Sequence, residues 1–171
     1  MKRIPAFLLA SFLAGCATLD KDQCLHADWY AIGVEDGAKG SALERLGAHR
    51  RACAEYGVAP NADSYLAGRR EGLMAFCTYD RGFAEGRGGR AYGSVCPDAV
   101  AADFREGYAR GRELYDLNHR LDGLNEEIRR TKAALKDGIP DPRARAREVE
   151  RLENLTREAE QLEQELAKKP L

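Results

Sequence analysis

The chain has 171 residues, 44% of them hydrophobic, and a formal net charge of -1. This length suits one ordinary domain with an appendage. The near-zero charge gives no argument for a nucleic acid partner, and three histidines spread far apart in sequence predict neither a metal site nor a metal cofactor.

The N-terminus is typical of a bacterial export signal. Lys2 and Arg3 precede a short apolar run over residues 4–13, which is too short to remain as a membrane-spanning helix. The tetrapeptide Leu13-Ala14-Gly15-Cys16 then resembles the lipobox of bacterial lipoproteins, in which the signal is cut before the cysteine and the cysteine is acylated. The alternative is an ordinary secretory signal followed by an incidental cysteine.

The lipobox resemblance implies a signal peptide over residues 1–15, lipidation of Cys16 and a lipidated tether over residues 16–27. Several acyl chains on one residue give stable membrane anchoring. Because Ala17 rather than an aspartate follows the cysteine, the resemblance to Gram-negative sorting signals implies the outer membrane, with the protein facing the periplasm.

Four cysteines remain once Cys16 is assigned to lipid. In an oxidising compartment they predict two disulfides, for which three pairings are possible. A zinc site with four cysteine ligands would need tight C-x2-C spacing, which is absent. The four cysteines punctuate the glycine-rich region: Cys24, Cys53, Cys77 and Cys96.

Residues 28–111 predict a helical domain rich in cysteine and glycine. Asp28 is a good cap for a first helix from Trp29, and Asn61 or Asp63 for a third helix that reaches Cys77. A second helix is expected over about residues 42–56, followed by the helix-stop signals Gly57 and Pro60. Five glycines and three aromatic residues within residues 78–95 predict a compact loop pinned by its aromatics, with at most one helical turn, and Cys96-Pro97-Asp98 predicts the start of the next helix.

One pattern recurs in this domain: an aromatic residue, a glycine three positions later and another glycine four positions after that. Glycine inside a helix costs roughly 1 kcal/mol relative to alanine, so the pattern favours close packing of helices, with an aromatic ring resting on glycine backbone. Exposure of the backbone to a ligand is the alternative, and charged neighbours argue against a membrane helix dimer. The complete copies are Tyr30-Gly33-Gly37, Tyr65-Gly68-Gly72 and Phe104-Gly107-Gly111, and Phe83-Gly86 begins an incomplete fourth.

Residues 112–168 predict an antiparallel helical hairpin that projects from the domain. From Leu114 to Leu135 the apolar residues alternate steps of three and four, which is typical of a coiled-coil seam. The prolines in 138–142 predict a turn, and the second helix is expected over about residues 143–168. The predicted fold class is therefore all-α, a small disulfide-stapled domain followed by a coiled-coil hairpin.

The helix ends favour the pairs Cys24–Cys53 and Cys77–Cys96. If consecutive helices run antiparallel, the start of each helix meets the end of the next, which brings these cysteines together. The other two pairings stay open.

The ordered string of glycines, cysteines and aromatics resembles a family of small cysteine-containing Gram-negative lipoproteins that is grouped under a domain of unknown function. The resemblance covers about residues 16–117 and implies no catalytic or binding residues. Its residues are Trp29, Gly33, Asp36-Gly37, Gly40, His49, Cys53, Tyr65, Gly68, Cys77, Gly82-Phe83, Gly86, Gly89, Tyr92, Val95-Cys96-Pro97, Phe104, Gly107-Tyr108 and Gly111.

Candidates for chemistry are few. Glu35 and Asp36 are adjacent on a helix and point about 100° apart, so they do not converge, and His49 is expected to be packed or solvated. Arg87 and Arg90 lie in a glycine-rich segment without the Lys-Ser/Thr of a phosphate loop and are weak candidates for an anionic ligand. The sequence favours a non-catalytic, lipid-anchored envelope protein with a partner on the hairpin. The alternative is a binding module for a cell-wall glycan or small ligand through residues 78–95.

Overall fold

The computed structural model describes residues 18–169, so the predicted signal peptide and Cys16 lie outside the described residues. Within this part of the chain there are seven helices and no strand, which confirms the all-α prediction. None of the described helices is long and apolar enough to cross a membrane. The helices are α1 (Lys21–Leu25), α2 (Trp29–Ala38), α3 (Glu44–Ala54), α4 (Ala62–Phe76), α5 (Tyr79–Arg87), α6 (Ala101–Asp137) and α7 (Pro142–Ala167).

Helices α2 and α4 pack with their backbones in contact. A methyl group added at Gly33 would lie 2.1 Å from the Tyr65 carbonyl oxygen, and one at Gly68 would lie 2.0 Å from the Tyr30 carbonyl oxygen. Gly37 and Gly72 make the same kind of contact one turn later. Since the contacts advance together along both helices, α2 and α4 run parallel.

Helices α5 and α6 repeat this arrangement. A methyl group at Gly82 would lie 2.1 Å from the Phe104 carbonyl oxygen, and one at Gly107 would lie 2.1 Å from the Tyr79 carbonyl oxygen. The fourth copy of the pattern is therefore complete and begins at Tyr79, not at Phe83. The prediction of a loop over residues 78–95 is wrong, because its first half is α5, a helix capped by Thr78.

The two helix pairs are an internal duplication. The leading aromatic of each pair is the first aromatic of its pattern, Tyr30 or Tyr79. Ten residues later each pair has a glycine with positive φ, 68° at Gly40 and 69° at Gly89. The ring of Phe76 covers Gly40 and the ring of Tyr115 covers Gly89, and each ring lies eleven residues after the aromatic of its own helix. Rings thus rest on glycine at these turns, whereas the helical glycines meet backbone.

Several helix boundaries follow the predicted caps and others do not. Asp28 and Asn61 cap α2 and α4 through their side chains, as the sequence indicates. Helix α6 begins at Ala101 and not at Cys96, so Pro97 lies in the preceding turn. The predicted tether over residues 16–27 is also wrong in its second half, because α1 forms there with a capping box from Asp20.

The disulfides join Cys24 to Cys53 and Cys77 to Cys96, with Cα–Cα distances of 5.4 Å and 5.7 Å. They are the pairs favoured from the sequence, but the reason differs. Cys24 belongs to α1, which packs against α3, and α2 pairs in parallel with α4 rather than antiparallel with its neighbour in sequence.

Three buried clusters lie in series along the molecule. The first surrounds Cys24–Cys53 and the start of α4, and the second surrounds Cys77–Cys96 and the start of α6. The third is the seam between α6 and α7, formed by Leu124, Ile128, Ala159 and Leu162. Arg120 pairs with Glu158 across this antiparallel hairpin, which confirms the predicted hairpin.

Candidate functional site

The first helix pair encloses a cluster of buried polar side chains. Asp36 of α2, His49 of α3 and Tyr65 of α4 are 5%, 2% and 0% exposed. One Asp36 oxygen, Oδ2, accepts hydrogen bonds from His49 Nε2 at 2.8 Å and from the Tyr65 hydroxyl at 2.7 Å. Three helices are therefore joined at one carboxylate oxygen.

The cluster continues to the N-terminal segment through the second ring nitrogen of His49. With the proton on Nε2 directed to Asp36, His49 Nδ1 is free to accept from the Thr18 hydroxyl, and those two atoms are 2.8 Å apart. Leu19, next in the chain, packs against the first buried cluster. The described chain is thus docked on the domain from its first residue.

Charges around the cluster are partly balanced from outside. Arg45 Nε lies 3.8 Å from the other Asp36 oxygen, Oδ1. Burial, and then the hydrogen bond to Asp36, raise the pKa of Tyr65 well above the ordinary tyrosine range, because an ionised phenol here would be poorly solvated and next to a carboxylate. Tyr65 is therefore a hydrogen-bond donor at any ordinary pH.

Thr18, His49 and Asp36 stand in the order of a hydroxyl–imidazole–carboxylate triad. His49 is almost fully buried between helices. A cleft of about 260 Å³ on this side is lined by Leu19 and by residues of α1, α2 and the connection between them, and its lining includes neither Thr18 nor His49. The two hydrogen bonds of His49 join the N-terminal segment at Thr18 to Asp36 of α2.

Sequence reasoning did not bring these residues together. Glu35, the neighbour of Asp36, is exposed and pairs with Lys39, as the angle between adjacent helical residues predicts. Two signals for the cluster were present in the sequence. Asp36 shares the glycine face of α2 with Gly33 and Gly37, and His49 lies one helical turn before a cysteine, so both positions point into the domain.

The two arginine candidates do not converge on a site. Arg90 forms an ion pair with Glu85, and its carbonyl oxygen accepts a hydrogen bond from the Tyr108 hydroxyl at 2.8 Å. Arg87 is exposed at the end of α5. These contacts give Arg90 a role in closing the turn after α5.

A cleft of about 220 Å³ lies between the two helix pairs. Phe76, Tyr92 and Phe104 contribute its aromatic wall, and Lys39 and Glu85 its charged rim. Both charges already have partners, since Lys39 pairs with Glu35 and Glu85 with Arg90. The cleft offers an apolar recess beside residues 91–95 with little unpaired polarity.

Comparison with known proteins identifies relatives without an assigned activity. Residues 28–113 match a family described as a protein of unknown function, DUF2799. The chain is also 31% identical over 120 residues to the uncharacterised protein YfiL of Escherichia coli K12, a match that covers 66% of this chain and 92% of that protein. No solved structure matches the chain.

Proposed function

This chain belongs to the DUF2799 family, whose function is unknown, and we propose that it is a lipid-anchored envelope protein that holds a helical hairpin at a fixed distance from the outer membrane. In this proposal its role is structural or one of protein interaction, and it is not an enzyme. The residues that carry the family match build the scaffold, and the hairpin from residue 114 onward lies outside that match.

Docking of Thr18 supports the anchoring half of the proposal. If Cys16 is acylated, two peptide units separate the lipid from a residue that is bonded to His49. Such a link spans at most about 7 Å, so the first buried cluster would lie against the membrane surface. The protein would then stand on the bilayer directly rather than at the end of a loose tether.

The continuity of α6 is the observation that carries the rest of the proposal. This helix takes part in the second buried cluster through Ala101 and Phe104 and in the hairpin seam through Leu124 and Ile128. Its 37 residues correspond to a length of about 55 Å. Because the three clusters lie in series from Thr18 to the hairpin, the hairpin would be held away from the membrane without a flexible joint.

Replacing the proposed acylation site tests the anchor. We expect Cys16→Ser to leave the precursor unprocessed or to release unlipidated protein, and Ala17→Asp, its matched variant, to keep the acyl chains but remain in the inner membrane. Membrane fractionation and mass spectrometry of the N-terminal peptide measure both. Normal acylation and fractionation of Cys16→Ser would show that the chain is not a lipoprotein of this kind.

A second candidate function is a binding module for a cell-wall glycan or small ligand through the segment that follows α5. The aromatic cleft beside Tyr92 supports it, since sugar rings and small apolar groups stack on such walls. Crosslinking in intact cells separates the two candidates. A partner crosslinked to the hairpin, residues 113–165, favours the first, whereas muropeptides crosslinked to residues 91–95 favour the second.

A further inference from the structure

The charge of the hairpin changes sign along its length. We define the tip as residues 129–147 and the stem as residues 113–128 together with 148–165. The tip carries seven cationic and two acidic side chains, a formal charge of +5, whereas the stem carries three cationic and twelve acidic side chains, a formal charge of -9. This separation is large for a chain whose net charge is -1.

The cations of the tip are exposed and largely unpaired. In the stem, Arg120 and Arg151 form ion pairs with Glu158 and Glu127 across the hairpin. In the tip, Arg129 and Arg130 share one carboxylate, that of Glu126. The other five cationic side chains form no ion pair within residues 18–169: Lys132, Lys136, Arg143, Arg145 and Arg147.

Such an arrangement does not serve the stability of the hairpin. Like charges on neighbouring turns repel, and the apolar cluster of the seam contains no residue of the tip, where the buried side chain is that of Thr131. Local choices that oppose stability are expected where a surface has a function. The exposed guanidinium and ammonium groups provide many donors for oxyanions.

We propose that the basic tip docks onto a carboxylate-bearing polymer, the peptide-crosslinked glycan of the cell wall. This inference rests on the proposed function. The three buried clusters run in series from the proposed anchor to the hairpin, and the tip lies at the end opposite the anchor. The acidic stem would repel the same polymer, so contact would be made end-on and confined to the tip. The protein would then link the outer membrane to the wall.

Two other occupants fit the exposed charges of the tip less well. Membrane-surface binding usually combines cations with inserted apolar side chains, and none of the exposed large hydrophobic residues of the described chain lies in the tip. A second copy anchored in the same membrane would place its own basic tip beside the first, which is repulsive. Sedimentation without sacculi and binding to anionic vesicles distinguish these two occupants from the cell wall.

Sedimentation with purified peptidoglycan sacculi tests the proposal on the detergent-solubilised, full-length lipoprotein. We expect the wild-type protein to sediment with sacculi and to be released by salt. The tip variant Arg143→Gln/Arg145→Gln/Arg147→Gln should bind more than about tenfold more weakly, as expected for the loss of three exposed ion pairs. The matched stem variant Glu153→Gln/Glu160→Gln/Glu163→Gln, which neutralises three exposed acids, should bind at least as well as wild type.

Circular dichroism first establishes that both variants keep the helical content of the wild type. Three results would overturn the proposal: no sedimentation of the wild type at low salt, undiminished binding of the tip variant, or sedimentation without sacculi through self-association. Equal binding to phosphatidylglycerol vesicles would also overturn it, in favour of a lipid surface. The assay contains no membrane, so failure of the anchor, seen with Cys16→Ser, is distinguished from failure of the tip.

Discussion

The two helix pairs share one backbone arrangement and differ in what lies beside it. In the pair α2/α4 an acidic residue six positions after the leading aromatic, Asp36, turns inward to His49 and Tyr65. In the pair α5/α6 the corresponding residue, Glu85, pairs with Arg90 outside, and Phe104 occupies the position of Tyr65. Phe104 stacks on Phe76 in an apolar cluster.

This difference separates what builds the fold from what was added to it. Both pairs need the four glycines, because backbone meets backbone in each. In the first pair the buried polar side chains Asp36 and Tyr65 lead through His49 to Thr18, whereas the second buried cluster, beside the second pair, consists of apolar side chains. The glycine contacts therefore define the architecture, while the polar cluster gives the first pair an additional task, holding the N-terminal segment.

The glycine contacts should show the largest effects. We expect Gly68→Ala and Gly107→Ala each to destabilise the protein by at least about 3 kcal/mol, at or above the upper end of overpacking costs. The added methyl group would lie 2.0 Å and 2.1 Å from a backbone carbonyl oxygen, which no rotamer change can relieve. Urea unfolding followed by circular dichroism measures both changes.

Gly123→Ala is the matched control for this prediction. Gly123 lies within α6, and an added methyl group there would meet no atom within 4 Å beyond the backbone of its own helix, so the substitution should stabilise the protein by about 1 kcal/mol through helix propensity. A similar small effect at all three positions would show that the helices do not approach as closely as described here.

The contrast between the pairs also explains how much the sequence could predict. Caps such as Asp28 and Asn61 and the leucine seam from Leu114 are local signals, and they placed helices α2, α4, α6 and α7. Local signals do not predict helix α5, because its glycines have low helix propensity. The helix is stabilised by its packing on α6. Applying the same three-residue and four-residue steps to Tyr79 would have found it.

Which helices pack against each other is harder to predict from the sequence than where each helix begins and ends. The sequence gives no local signal that α2 packs in parallel on α4, because the contact joins residues more than 30 positions apart. The meeting of Asp36, His49 and Tyr65 depends on that contact. The helix ends favour the observed disulfide pairs, yet that argument assumes that α2 packs antiparallel on the next helix, whereas α2 packs in parallel on α4.

Removing each disulfide should lower the free energy of unfolding by an intermediate amount, and the two amounts compare the two halves of the domain. Cys24–Cys53 and Cys77–Cys96 have sequence separations of 29 and 19, so the chain-entropy model gives about 3–4 kcal/mol for the first and about 3 kcal/mol for the second. We expect Cys24→Ala/Cys53→Ala and Cys77→Ala/Cys96→Ala to lower the free energy of unfolding by these amounts. Losses below about 1 kcal/mol would mean that the denatured state is not constrained by the bridges.

The smallest effect concerns the hydroxyl that distinguishes Tyr65 from Phe104. Tyr65→Phe removes one of the two hydrogen bonds to Asp36 Oδ2 and should cost about 1–2 kcal/mol, because the partner is charged and buried. Tyr108→Phe, in the second pair, removes a hydrogen bond to the Arg90 carbonyl oxygen at the surface. It should cost less than about 0.5 kcal/mol, since water can replace the lost donor.

For Tyr65→Phe we also expect a pH dependence of stability with a definite sign. The pKa of Tyr65 is raised in the folded protein by burial and by Asp36, so above the ordinary tyrosine pKa of about 10 the unfolded chain releases this proton while the folded protein keeps it. The contribution of Tyr65 to stability is therefore complete below about pH 10 and is lost as the pH rises further. Exposed Tyr30 and half-buried Tyr56 also have raised pKa values, so the informative quantity is the difference between wild type and Tyr65→Phe. We expect that difference, from urea unfolding between pH 8 and pH 11, to shrink above pH 10, and a constant difference would show that the phenol is not held un-ionised against Asp36.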